Sequence, residues 1–168
     1  MTVAVVPASF DPITCGHVDI VMRASHLFER IVVGVYAHPK KNTLFSLEDR
    51  VTMVRESLDH VDRVEVIPYE GLTVNLARAV GAGVVVRGLR AVSDFESEFQ
   101  QAALNRAMSP GLEVISMFAS VEYGFLSSSI IKEIAENGGD ITGMVPAPVA
   151  LRLVERFPPA AGPSASGR

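Results

Sequence analysis

The side chains able to do chemistry recur just after apolar runs. Thr14-x-Gly16-His17 follows the run Thr2–Val6, Lys40-Lys41 follows Ile31–Tyr36, Arg87-Gly88-Leu89-Arg90 follows Val84–Val86, and Ser127-Ser128-Ser129 follows Val114–Ala119. Each set suits an anion. An imidazole in the first turn of a helix can donate to a phosphoryl oxygen, beside backbone N–H groups that already favour negative charge. Gly16 lets backbone come close to a ligand, and Gly88 permits a sharp turn or a close approach. Guanidiniums grip phosphate with a planar fork, and serines at a helix start add hydroxyl and N–H donors. Taken singly, each has a plainer reading: a packed histidine, a solvated lysine pair, a turn with solvated arginines, a serine-capped helix.

Their common placement argues otherwise, and it follows from the elements that must carry them. Thr2–Val6 reads as a buried strand that Pro7 stops, with Asp11-Pro12 as a turn and a helix over residues 18–28. Ile31–Tyr36 is a strand buried on both faces, which makes the opening a right-handed βαβ unit. Ser46 caps a helix to about Leu58, with Asp49 as the capping-box acid, and Val64–Pro68 is a third strand. A helix over Val74–Val80 ends at Gly81-Ala82-Gly83, and Val84–Val86 is a fourth strand. Asp94–Met108 reads as a long helix whose acids form a mostly solvated face, Asp94 and Glu98 sharing one side, with Glu98 within reach of a ligand. Val114–Ala119 is a fifth strand, a helix follows the serines to Gly138, and Pro146–Phe157 closes the fold. Five strands alternating with helices predict an α/β fold: a single-domain, doubly wound, five-stranded, mostly parallel sheet with a Rossmann-like topology. In such a sheet the loops after strands one, two, four and five meet on one edge.

Composition bounds the function. The chain has 168 residues, 48% hydrophobic and 20% charged, with a formal charge of −4, which suits one globular domain and argues against a general nucleic-acid binder. No apolar run approaches the ~18 residues of a membrane span, and Met1 leads straight into a strand, so a cytoplasmic protein is expected. The single cysteine, Cys15, is read as a small filler residue. The Pro-, Gly- and Ser-rich stretch 158–168 predicts a disordered tail with no site, leaving residues 1–157 as the domain. The sequence has no G-x-x-x-x-G-K-[ST] loop, no G-x-G-x-x-G, no serine elbow and no metal-spaced His/Cys set. Such a site, cationic and hydrogen-bonding with no protein nucleophile, suits transfer of a nucleotidyl group from a nucleoside triphosphate to an acceptor that is already an anion. Mg²⁺ would arrive largely on the triphosphate.

Ser-Phe-Asp-Pro followed by T-x-G-H resembles the signature of the nucleotidyltransferase superfamily. Across residues 2 to about 156 the chain resembles the bacterial phosphopantetheine adenylyltransferases, through S-F-D-P-I-T-C-G-H, R-G-L-R-A-V-S-D-F-E-S-E and Y-G-F-L-S-S-S in that order. The resemblance implies an enzyme of coenzyme A synthesis that makes dephospho-coenzyme A and pyrophosphate from ATP and 4′-phosphopantetheine. It implies that Ser9 and Phe10 lie against ATP, with Ser9 also near the acceptor, and that His17 contacts the nucleotide and stabilises the transition state. It assigns Lys41, Thr73 and Arg87 to phosphopantetheine, and Gly88, Leu89, Arg90, Glu98 and the run Glu122, Tyr123, Gly124, Phe125, Leu126, Ser127, Ser128 to ATP. It further implies a homohexamer and feedback inhibition by coenzyme A. Ala8 stands where the family usually has Gly, Ser9 where Thr is common, and Tyr123-Gly124 where an aromatic-Ser pair is frequent. Open alternatives are a nucleotidyltransferase with nicotinate mononucleotide or a small phosphorylated alcohol as acceptor, and a nucleotide-sensing module without catalysis. A fragment of a class I aminoacyl-tRNA synthetase fits poorly, because the lysine-serine loop is missing.

Overall fold

Alternation within the strands decides the layers of the computed structural model, which describes residues 2–39 and 42–158. In β1 (Val3–Ala8), Ala4 and Val6 point to one face of the sheet and Val5 to the other, and all three are buried. The first face packs against α1 (Cys15–Ser25), α2 (Leu47–Ser57), α5 (Ser128–Glu136) and α6 (Ala147–Arg156), through residues such as Ile20, Met53, Ile131 and Leu153. The second face packs Val5, Val32 and Val85 against Val74, Leu76 and Ala77 of α3 (Thr73–Val80). The remaining elements are β2 (Arg30–Tyr36), β3 (Val64–Tyr69), β4 (Val84–Leu89), α4 (Val92–Met108) and β5 (Glu113–Phe118).

All five strands are parallel, in the order β3-β2-β1-β4-β5. The chain winds outward from β1 to β3 and returns to β1's other side at β4. The order therefore reverses between β1 and β4, and a crevice opens outside their C-terminal ends. Among the described residues, no helix is long and apolar enough to cross a membrane.

Two strand ends beside the crevice differ from expectation. Pro7 lies inside β1, opposite Gly34, rather than ending it. The ladder from β1 to β4 covers only Ala4 and Val5, and the Pro7 carbonyl instead accepts from Arg87 Nη1 at 2.6 Å. A strand residue's N–H and C=O point the same way, so the N–H that proline lacks is missing on a side with no ladder to make. Arg87 and Gly88 likewise lie inside β4, paired with Ser116 and Met117, rather than in a turn after it. Gly88 serves close approach: a Cβ there would stand 3.4 Å from Ile20 Cγ1 of α1.

Gly34 is the tighter position. A Cβ on it would come within 2.6 Å of Leu76 Cδ2 and 3.0 Å of the Tyr69 ring. Gly34→Ala is therefore expected to cost about 1–3 kcal/mol by overpacking between β2 and α3. A lower denaturant midpoint with an unchanged slope would bear this out, and an unchanged midpoint would refute it.

Candidate active site

The crevice at the sheet reversal is a cavity of about 300 Å³. Its floor is the top of β1 and β4, and its walls are α1, the start of α4 and the start of α5.

His17 enters it through a helix cap. α1 starts at Cys15, three residues before the expected helix, because Thr14 is its N-cap and His17 stands at the third helical position. The Thr14 backbone N–H donates to His17 Nδ1 at 3.1 Å, while Thr14 Oγ1 lies 3.0 Å from the same nitrogen and accepts from the His17 N–H at 3.4 Å. This is a capping box with histidine in the usual glutamate's place. The arrangement has a chemical consequence. Because Nδ1 must accept from a backbone N–H, it carries no proton, and the ring's single proton sits on Nε2. Burial and the nearby Arg90 and Arg87 guanidiniums push the His17 pKa down to about 4, so the ring is neutral at physiological pH. The cavity is thus offered a neutral N–H donor in fixed orientation. Phe10, buried and held in the left-handed region at φ 47°, sets its ring edge-on to the imidazole at 5.2 Å.

The arginines are held by acids. Arg87 Nε and Nη2 donate to the two Glu98 oxygens, both at 2.7 Å, and Arg90 Nε and Nη2 donate to Asp94 at 3.0 and 3.1 Å. Arg90 Nη1 also donates to the Leu126 carbonyl at 3.0 Å, which ties β4 to the segment before α5. The side of α4 that carries Asp94 and Glu98 is therefore no solvated face. It turns toward the crevice and supplies counter-ions to both guanidiniums. Arg90 bonding lowers the Asp94 pKa against the opposing cost of desolvation.

The serine segment arrives as expected. Ser127 is the N-cap of α5 and accepts from the Ile130 N–H at 3.1 Å, while Ser128 Oγ donates to the Pro12 carbonyl at 2.7 Å. Tyr123 ends a short 3-10 turn, Val121–Tyr123, and its Cβ would lie 3.3 Å from a Cβ on Gly16. What Gly16 admits closely is this tyrosine.

The cavity brings together Phe10, His17, Arg87, Gly88, Arg90, Glu98, Tyr123, Leu126, Ser127 and Ser128 from four separate parts of the chain. Ser9, Thr73, Leu89, Glu122, Gly124 and Phe125 do not line it. Leu89 is buried at the end of β4, and Phe125 is exposed. Thr73 opens α3, its Oγ1 3.4 Å from the Tyr69 hydroxyl, and Tyr69 in turn feels the charge of Arg87. Lys41 and residues 159–168 lie outside the described residues. Ser129, expected with the other serines, lines the cavity as well. Sequence reasoning named Thr14 only within its T-x-G-H motif and missed its role as the cap, for which the T-x-x-H spacing was the available signal. It also missed the Pro7 carbonyl, which carries no local signal of a site.

Chemically, the crevice can stabilise charge on phosphoryl oxygens and orient two phosphate-bearing molecules. The acids on it are engaged by guanidiniums, and no described group of three His, Cys, Asp or Glu side chains is placed to hold a metal ion.

Comparison with known proteins agrees with this site. The family model described as cytidylyltransferase-like matches residues 5–134. A phosphopantetheine adenylyltransferase of Roseiflexus sp. (strain RS-1) is 50% identical over 157 residues, covering 94% of this chain and 98% of the relative. One from Carboxydothermus hydrogenoformans is 48% identical, covering 94% and 97%. A crystal structure from Vibrio parahaemolyticus, described as that of a nicotinate-nucleotide adenylyltransferase, superposes with a TM-score of 0.70 at 19% identity over 94% of this chain and 95% of its own, a likeness of fold. With a family match over most of its length and relatives near half identity from end to end, the chain belongs to the cytidylyltransferase-like nucleotidyltransferases and, among them, to the phosphopantetheine adenylyltransferase family.

Proposed function

We propose that this protein transfers the adenylyl group of ATP to 4′-phosphopantetheine, releasing pyrophosphate and forming dephospho-coenzyme A. The observation that carries the reading is a neutral imidazole N–H donor and two guanidiniums lining one crevice at the sheet reversal. An oxygen of the acceptor's phosphate monoester attacks the α-phosphorus of ATP. A new P–O bond forms as the bond from that phosphorus to the bridging oxygen breaks, and pyrophosphate departs with the electron pair. The attacking oxygen is already an anion, so no general base is needed, and alignment plus charge stabilisation remain as the protein's tasks. His17 donates from Nε2 to the α-phosphoryl oxygens as charge builds there. Phe10, Gly88, Leu89, Arg90, Glu98 and the segment from Glu122 to Ser128 hold the nucleotide. Lys41, Thr73 and Arg87 hold the acceptor, and Ser9 stands between the two. Magnesium enters as part of the substrate, on the triphosphate.

The test is pyrophosphate release with Mg²⁺, ATP and phosphopantetheine. Release that requires phosphopantetheine supports the reading. Release with nicotinate mononucleotide instead, or none at all, overturns it.

The same reading makes the protein a cytoplasmic homohexamer subject to feedback by coenzyme A. Support for assembly comes from α4 and the edge strand β5, which together expose Phe95, Phe99, Leu104 and Phe118, with the Phe95 and Phe99 rings stacked at 6.1 Å. So much apolar surface on one flank suits burial against further copies of the chain. Light scattering is expected to return the mass of six chains, and a monomer mass would refute the assembly.

A further inference from the structure

Two buried charges that do not line the crevice, Asp11 and Arg50, have no part in the chemistry above. Asp11, 5% exposed, accepts from the backbone N–H groups of Leu44 and Phe45, each at 3.0 Å, and from Lys132 Nζ at 2.6 Å. Arg50, 1% exposed, donates through Nη1 to the carbonyls of Ser9 at 2.7 Å and Tyr36 at 2.8 Å. Burying a charge is costly unless its partners are well placed, and here most of the partners are backbone groups of loops.

Those loops are specific ones. Ser9 and Asp11 belong to the segment between β1 and α1 that presents Phe10 and His17. Tyr36 is the last residue of β2, and Leu44-Phe45 precede the Ser46 N-cap of α2. The two charges thus tie both shoulders of the β2–α2 connection, on either side of Lys40-Lys41, to the connection that carries the imidazole. The start of α5 has its own fastening, Ser128 Oγ to the Pro12 carbonyl.

We infer that Asp11 and Arg50 are positioning residues for the acceptor: they hold Tyr36 and Leu44-Phe45, at the two ends of the β2–α2 connection, against the segment that carries His17, so that the acceptor's phosphate is aligned with the α-phosphorus. This rests on the proposed adenylyl transfer and deepens it. Asp11 acts through the amides of Leu44 and Phe45, and Arg50 through the carbonyls of Ser9 and Tyr36. Neither needs to touch a substrate.

The experiment compares Asp11→Asn and Arg50→Lys with the full-length wild type. Asparagine removes the charge, and lysine keeps the charge but loses the planar guanidinium whose Nη1 reaches the Ser9 and Tyr36 carbonyls while Nη2 reaches that of Ala37. Each is expected to raise the KM for phosphopantetheine about 10- to 100-fold with the KM for ATP moving less than about threefold, the size of losing charged hydrogen bonds at one subsite only. Hydrogen exchange over residues 42–46 is expected to quicken in both. Lys132→Met, which leaves both amide bonds to Asp11, is expected to shift the acceptor KM less than Asp11→Asn does. Equal shifts in both KM values, a loss of thermal stability with both KM values unchanged, or unchanged exchange over 42–46 would overturn the inference. A wild type that never adenylylates phosphopantetheine would instead sink the proposed function, and the exchange measurement would still judge the anchoring.

Discussion

Replacing His17 with alanine is expected to lower turnover about 10²- to 10³-fold while leaving the KM for ATP close to its original value, as for loss of one donor aimed at transition-state charge. The reason for this split lies in the cap. The Thr14 N–H holds Nδ1, so Nε2 carries the only ring proton and is directed by a helix start rather than by substrate. A preoriented donor helps most where charge increases, which is at the α-phosphoryl oxygens as the acceptor attacks. Loss of turnover and nucleotide affinity by equal factors would reject that role. His17→Gln, which can place an N–H donor near the Nε2 position, is expected to retain more activity than alanine.

The pH behaviour follows from the same geometry. The folded-state pKa of His17 is about 4, below the ordinary 6.5, so the unfolded chain takes up a proton first as pH falls. The stability that the neutral ring contributes is fully present above pH 6.5 and drains away between there and about 4. Between those values the ring stays neutral in the folded protein, so His17 produces no loss of turnover between pH 8 and 5. NMR of the imidazole nitrogens is expected to show the Nε2–H tautomer at neutral pH and a titration midpoint near 4. A midpoint near 6.5 would contradict the account.

Arg87→Met is expected to have the second large effect, on binding and stability together. Arg87 is gripped at both ends of its fork by Glu98, whose side chain is 14% exposed, and it also donates to the Pro7 carbonyl. Removing the guanidinium strands a largely buried carboxylate, at a cost of about 2–3 kcal/mol, below the range for fully buried pairs because Arg87 itself is 31% exposed. On the proposed assignment of Arg87 to phosphopantetheine, it also removes an acceptor contact. The double variant Arg87→Met/Glu98→Gln separates the two. Stability is expected to recover, because the stranded charge has gone, while the KM for phosphopantetheine stays high. Recovery of both would mean that Arg87 serves the fold alone, and recovery of neither would mean that Glu98 is not its essential counter-ion.

The architecture was legible because the strands are apolar runs with clear punctuation and their alternation with helices leaves few topologies. The convergence of His17, Arg87, Arg90 and Ser127–Ser128 followed from topology, since loops at the C-terminal ends of parallel strands share an edge. Pairing was the part that stayed hidden. Asp94 and Glu98, four apart on α4, read as one helix face, but whether that face meets water or guanidiniums depends on where α4 lies over β4, which local pattern does not encode. Pro7 misled for a related reason: a proline ends a ladder only on the side where one exists. Thr14 and His17 are a capping box with an unfamiliar acceptor, so the helix start was placed three residues late. Asp11, Arg50 and Lys132 were unreadable, because their partners lie between 13 and 121 residues away.

On the proposed reading the crevice performs one direct displacement at the α-phosphorus, with no group of the protein bonded to it along the way. The most direct test is the stereochemistry of the transfer, using ATP made chiral at that phosphorus by a single sulfur substitution and phosphopantetheine as acceptor. The account requires inversion of configuration in the dephospho-coenzyme A analogue. Retention would demand two successive displacements through a protein-bound adenylyl group and would contradict it.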